Sequence, residues 1–326
     1  MRISEEPWVR DHQLQSSILY PAAGYIAMAI EAAYEMAAPG QTIRDFRMRD
    51  VNITAPAVIM EESNLECILQ LRPHLSGTRD KSYAWLEFAV STCDNEPDLR
   101  KHCYGLLQLV FQSAEETKMT LEKTLEDEAY KGRYIEAERL CQTPEDPKDF
   151  YRDLTSLGLH YGPTFQNITR IRRRNGQSCC AVTISDLDSS EMCEKMERPH
   201  VIHPSNLDAM FHAVFAAFKH QEGQLKDAMV PTLIEEITIS ASIAFINGAQ
   251  FRGYSNASKH GFRGLKADLV MLDEGLIRPV VTVKGFRCVA ISTGDTEDAG
   301  LQSNAGRLYN ELVWKPAIEL CSPDER

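Results

Sequence analysis

Residues 203–220 read HPSNLDAMFHAVFAAFKH, and residues 21–37 read PAAGYIAMAIEAAYEMA. In the first stretch Leu207, Met210, Phe211, Val214, Phe215 and Phe218 recur at helical spacing and define one buried face. In the second, alanine fills positions 22, 23, 27, 29, 32 and 33. Side chains that small let a helix lie close against a sheet. Pro21 suits a first helical turn, and Pro39-Gly40 suits a stop. Each stretch therefore predicts one long helix.

Strand-like runs follow each helix. After the first come VNITAPAVI (51–59), LECILQL (65–71), YAWLEFAVSTC (83–93) and CYGLLQLVF (103–111). After the second come ITISASIAFI (237–246), FRGYS (251–255), LKADLVML (265–272) and VVTVKGFRCVAI (280–291). Two more, QNITRIRRR (166–174) and CCAVTIS (179–185), precede the second helix. The expected organisation is an N-terminal unit over 1–113, a linker over 114–148, a C-terminal unit over 149–293 and an extension over 294–326. The linker is charged and poor in apolar residues, with a short helix allowed within it. The plan is α+β: a sheet with one long helix, twice. A helix wrapped by a curved antiparallel sheet fits it, and an open α+β sandwich fits the periodicity equally well.

Bulk properties exclude several classes. The chain has 326 residues, 43% of them hydrophobic and 25% charged, as in an ordinary globular protein. A net charge of −12 disfavours nucleic-acid binding, which needs a basic face. No apolar run is long enough for a membrane span, and MRISEEPWVRDHQ has no apolar signal core. Nine cysteines at irregular spacings, with no CxxC, signal neither zinc nor a disulfide framework; they read as reduced packing residues in a cytoplasmic protein.

Two constellations carry chemistry. His12 lies nine residues before Pro21. A helix start offers unpaired N–H groups and partial positive charge, which would polarise a thioester carbonyl and stabilise an enolate. A neutral imidazole nearby could remove the proton beside that carbonyl. Asp208 and His212 are four apart on the second helix and share a face. A carboxyl group among Phe211 and Phe215 loses solvation, which favours the protonated acid. Each has a bland alternative: a surface histidine, and a helix-start acid stabilised by the dipole. A metal held by His203, Asp208 and His212 is conceivable by residue type, but the spacing matches no metal motif.

Three segments together resemble a known family. DHQLQSSILYPAAGYIAMAIEA (11–32) resembles the HxxxGxxxxP motif of polyketide synthase dehydratase domains; LGLHYGPTFQ (157–166) resembles their YGPxFQ motif, and HPSNLDAMFH (203–212) their HPxxLDxxxQ/H motif. AWLEFAVST and VKGFRCVAIS look like the fungal iterative, highly reducing synthases, and LYNELVWKP (308–316) like the segment that follows the dehydratase there. The resemblance implies a double hotdog, two sheets each wrapping a long helix. It implies His12 as base and Asp208 as acid in removing water from a (3R)-3-hydroxyacyl thioester to give a trans-2-enoyl thioester.

His212 falls where the family has Gln or His. Tyr161 and Gly162 fall in the segment lining the substrate channel, and Pro21 matches the motif proline. No cofactor is implied for the domain itself. The substrate would arrive on the phosphopantetheine of an acyl carrier protein, with the other domains of the same synthase and a homodimeric partner around it. Such carriers are commonly acidic. Arg170, Arg172, Arg173 and Arg174 form the densest basic cluster and a candidate docking spot, although a charge run before Asn175-Gly176 also reads as a solvated turn.

The chain departs from the family pattern twice. Ser16 stands at the motif glycine, so the turn after His12 must tolerate a side chain. The family's HxLLG-like segment before the Pro-Trp is not present ahead of Pro7-Trp8, so the first sheet is expected to lack a strand. Two rivals stand beside the dehydratase: a product-template-type cyclase, which shares the fold and a His/Asp pair, and a catalytically silent scaffold. The YGPTFQ segment argues against the first and the intact His12, Asp208 and His212 against the second.

Overall fold

The computed structural model describes residues 3–38, 40–61, 65–74, 85–93, 99–112, 116–184, 200–219, 225–243 and 248–291. A 3-10 turn (Pro7–Asp11) leads into a hairpin of β1 (His12–Leu14) and β2 (Ser17–Ile18). Then comes α1 (Ala22–Glu35), with Pro21 just outside it as N-cap at φ −68° and ψ 149°. Proline fits there because a fixed φ and a missing N–H cost nothing before the first turn. The strands β3 (Ile43–Ile53), β4 (Glu66–Pro73), β5 (Leu86–Cys93) and β6 (Leu99–Phe111) follow, hydrogen-bonded in the order β4-β5-β6-β3. α1 packs on β4 and β6 through its small face, burying Ala23, Ala27, Ile26 and Ile30.

The second half comprises α2 (Glu116–Leu140), β7 (Thr143–Glu145), α3 (Pro147–Ser156), β8 (Leu159–Tyr161), β9 (Ile168–Arg174), β10 (Gln177–Thr183), α4 (Pro204–Phe218), β11 (Ala228–Ser240), β12 (Gln250–His260), β13 (Gly264–Leu272) and β14 (Pro279–Ile291). Its strands run β11-β14-β13-β12-β10-β9-β7, and β11 pairs with β3, Ile239 opposite Phe46, so the halves share one 11-stranded antiparallel sheet. α4 packs on β9, β10, β12 and β13 and touches α1. All its residues are buried, and each large apolar one contributes roughly 1.5–3 kcal/mol. Two helices, each held by its own half of that sheet, make the double hotdog and dismiss the open sandwich.

Three elements differ from the sequence reading. The stretch expected as a linker holds the 25-residue α2, whose Tyr134 and Ala137 are buried with Cys141, Cys179, Tyr254 and Val270. Its apolar residues are too sparse to make a stripe, so its charged remainder reads as linker. β3 begins at Ile43, eight residues before the expected run, because Ile43, Phe46, Met48 and Val51 are buried between outward charges. β11 starts at Ala228 and runs through Pro231, accommodated at a register shift between Pro231 and Leu233. The expected extension over 294–326, with Cys321 and LYNELVWKP, and Cys193 lie outside the described residues. Of the cysteines within them, Cys103, Cys141, Cys179, Cys180 and Cys288 are buried as free thiols.

Candidate active site

β1 is short but doubly tied. His12 pairs with Tyr161 of β8, and its carbonyl accepts from the Leu19 N–H at 3.1 Å. The imidazole Nδ1 lies 2.9 Å from the Leu19 carbonyl, an acceptor only, so Nδ1 carries the hydrogen and neutral Nε2 keeps a lone pair. That Nε2 stands 4.0 Å from Asp208 Oδ2 across the two halves, with the side chains 16% and 10% exposed. Burial pushes the His12 pKa down, opposed by the Asp208 charge. The imidazole is thereby neutral near neutral pH.

The hairpin turn holding His12 has Gln15 at φ 48° and Ser16 at φ 70°. Two positive φ values in a two-residue hairpin loop are the type I′ pattern. The motif glycine position is therefore a left-handed one, and Ser16 occupies it at a strain of about 1–2 kcal/mol. The Gln15 N–H is held by the Gly158 carbonyl at 2.9 Å, so the turn is pinned from the second half.

On α4, Asp208 Oδ2 is 2.9 Å from His212 Nε2, and His212 is 1% exposed. The Tyr161 ring packs on His212 at 4.1 Å, and Phe165 packs on His12 at 5.3 Å. The Cys288 thiol is pushed well up by burial and by the charge of Asp208. His203 is the N-cap of α4: Nδ1 accepts from the Ser205 N–H at 3.2 Å, and burial pushes its pKa down to about 3. His203 is thus occupied as a cap, while Asp208 and His212 bond to each other. Among the described residues no three His, Cys, Asp or Glu side chains stand close enough to hold a metal ion.

Of the expected residues, His12, Asp208, His212 and Tyr161 converge. Pro21 is the N-cap of α1, and Ser16 lies in the turn between β1 and β2. Gly162 packs closely against the residue before His12: a Cβ there would lie 2.3 Å from Asp11 Oδ1. Asp11 accepts from the Thr164 N–H at 2.9 Å and from its hydroxyl, while the Asp11 carbonyl accepts from Gly162 N–H at 2.7 Å. The residue before the imidazole is therefore bolted to the YGPTFQ loop. Asn206 on α4 accepts from Asn167 at 3.1 Å and ties the same loop to the helix that carries Asp208.

Asp11 and Tyr151 escaped sequence reading. Asp11 had a signal only in its place beside His12. Tyr151 had a clearer one: Asp146-Pro147 is a cap followed by a first-turn proline, and the Asp146 carboxylate accepts from the Lys148 N–H at 2.8 Å. The arginines lie on β9, away from this cluster. Arg170 pairs with Glu138 of α2, and Arg173 pairs with Glu145 at 2.7 Å.

Comparison with known proteins gives the family. The family described as polyketide synthase dehydratase N-terminal domain matches residues 135–298, and the one described as polyketide synthase dehydratase domain matches residues 1–84. The chain belongs to the polyketide synthase dehydratase family. Along its full length this dehydratase domain is 40% identical to a highly reducing polyketide synthase of Cryptosporiopsis sp. and 39% identical to one of Didymella fabae, of which it spans 13% and 17%. Its type is that of the fungal highly reducing synthases. The CurK dehydratase of the curacin synthase, solved as an inactive His-to-Phe variant, matches at TM-score 0.65 and 16% identity over 90% of this chain and 91% of that one. An inactive Asp-to-Asn variant of the same dehydratase matches at TM-score 0.63 and 16% identity, with the same coverage. At such identity these likenesses carry the double hotdog fold alone.

Proposed function

We propose that His12 and Asp208 together dehydrate (3R)-3-hydroxyacyl thioesters to trans-2-enoyl thioesters. The observation that carries this is the pairing of an imidazole, with its lone pair aimed inward, and a carboxyl group 4.0 Å away on the other half. Loss of water needs a base at C2 and an acid at the hydroxyl on C3. Groups this close reach adjacent carbons of one bound chain without its moving. His12 Nε2 takes the C2 proton. N–H groups at the start of α1 stabilise the enolate oxygen. Asp208 protonates the hydroxyl, which leaves as water.

The CurK dehydratase is inactive as a His-to-Phe variant and as an Asp-to-Asn variant, so that protein depends on one residue of each type. Each general acid or base step is worth roughly 10²–10⁴ in rate. His12→Phe and Asp208→Asn should each lower enoyl formation from a 3-hydroxybutyryl pantetheine thioester by at least about 10²-fold, read by enoyl absorbance. Full turnover in either variant refutes the assignment.

The substrate arrives on the phosphopantetheine of an acyl carrier protein within the same synthase, in a homodimer, and the domain itself needs no cofactor. The docking spot is the β9 cluster of Arg170, Arg172, Arg173 and Arg174. Arg170 and Arg173 already hold glutamates, so the test reverses Arg172 and Arg174. Arg172→Glu with Arg174→Glu should raise KM for carrier-bound substrate about tenfold and leave the pantetheine mimic unchanged. Equal KM changes for the two substrates discard the docking role.

A further inference from the structure

One hydroxyl behind the site takes no part in the reaction above. The Tyr151 hydroxyl on α3 donates to the Phe165 carbonyl at 3.2 Å, lies 3.4 Å from the Ile168 N–H and lies 3.3 Å from His212 Nδ1. A phenol has one hydrogen to give. The Phe165 carbonyl can only accept, and the Ile168 N–H can only donate. Phe165 is fully buried, and a buried carbonyl stripped of its donor costs about 1–3 kcal/mol. With the phenolic hydrogen spent on Phe165, the Tyr151 oxygen is an acceptor towards His212, and Nδ1 must carry the hydrogen.

The consequence passes through the ring. With its hydrogen on Nδ1, neutral His212 presents a lone pair at Nε2, and that atom faces Asp208 Oδ2 at 2.9 Å. Two acceptors do not face each other at hydrogen-bond distance, so a proton lies between them. The pair then holds one proton more than an ionised Asp208 beside the other neutral tautomer. We propose that Tyr151 is a positioning residue which, through His212, keeps the proton destined for the leaving hydroxyl on the Asp208–His212 pair. The proposal rests on Asp208 being the acid. Without the phenol, His212 is free to place its hydrogen on Nε2 against a carboxylate, and the pair starts the reaction without the proton it must deliver.

The titratable groups facing this pair are His12 from β1, Tyr161 from β8, Tyr151 from α3 and Cys288 from β14. Burial holds both phenols and the thiol uncharged. The acid limb of a kcat–pH profile therefore belongs to His12, which must be neutral, and the alkaline limb reads whether the proposed proton is retained.

The test measures kcat against pH with the pantetheine mimic for the unaltered domain, Tyr151→Phe, His212→Gln and the double variant. Tyr151→Phe should move the alkaline limb down by about one pH unit, leave the acid limb and KM in place, and lower kcat near neutral pH about tenfold. A glutamine carbonyl at 212 accepts the Asp208 proton without help, so Tyr151→Phe should not move the limb in that background. An unmoved limb, or an equal shift in both backgrounds, overturns the proposal. Nitrogen NMR of histidine-labelled, unaltered domain reads the tautomer directly, whatever the variants do to folding. Hydrogen on Nδ1 of His212 is expected, and a neutral ring with its hydrogen on Nε2 overturns the proposal. Asp208→Asn separates the two claims: its full activity sinks the parent reading, whereas an inactive Asp208→Asn with an unmoved Tyr151→Phe limb sinks this one alone.

Discussion

The two central helices occupy equivalent places and do different work. α1 is alanine-rich, starts after a proline with no side-chain cap, and turns Met28, Glu31 and Ala32 towards half-exposed surroundings. α4 is buried along its whole length, is capped by His203, and carries both Asp208, the proposed acid, and His212. His12, the proposed base, comes from the hairpin before α1, and β8 of the other half holds it. A helix enclosed on all sides can fix a carboxyl group and an imidazole in a dry, rigid frame, where charge separation is costly. His12, which the proposed reaction needs on the opposite side of the substrate, is instead mounted beside a turn. Doubling of a fold thus need not double its chemistry.

The sharpest way to break this contrast is at the mount of the base. Gly162→Ala puts a methyl group 2.3 Å from the Asp11 carboxylate and should cost about 2 kcal/mol in urea unfolding. It should also lower kcat, because the displaced Asp11 adjoins His12. An unchanged unfolding midpoint would show that the loop yields without strain.

On the side of the acid the question is the cap. His203 stays neutral in the folded chain down to about pH 3, while in the unfolded chain it takes up a proton near its ordinary 6.5. Between those values the unfolded state binds the extra proton, so stability falls as pH drops, by about 1.4 kcal/mol per unit from this group. His12, also lowered by burial, adds in the same direction below 6.5. His203→Asn keeps a capping acceptor and removes the titration. It should flatten the acid slope of stability by about that amount, followed by thermal unfolding at stepped pH. A slope identical to the parent's would detach His203 from the acid behaviour.

The smallest effect belongs to the turn. Ser16→Gly removes the left-handed strain and should stabilise the domain by about 1 kcal/mol, less the added freedom of the unfolded chain. Destabilisation on this change would mean that the Ser16 side chain contributes more than its backbone costs.

How much of this was legible in the sequence follows the physics of each part. The helices were readable because Phe211, Phe215 and Phe218 repeat at a period set by the backbone itself, and the alanines of α1 flag close packing. Asp208 and His212 were readable as neighbours because four residues make about one turn. The nearness of His12 to them was not: it depends on pairing His12 with Tyr161 and on Asp11 meeting Thr164, contacts made by residues some 150 positions apart. Tyr151 was hidden because α3 opens in TPEDPKD, where proline and charges look like linker until the cap is counted. Ser16 was legible as a departure, and only the backbone angle says what it costs.

The small sheet β2-β1-β8 mixes strands from both sides of the sequence. It follows that the halves are not exchangeable parts. A chimera that takes the first 61 residues from a relative inherits that relative's imidazole but seats it on an unfamiliar strand and loop. Interchange would have to carry residues 157–166 along with residues 7–20, two distant pieces travelling as one cartridge, for the donor's reactivity to come with them.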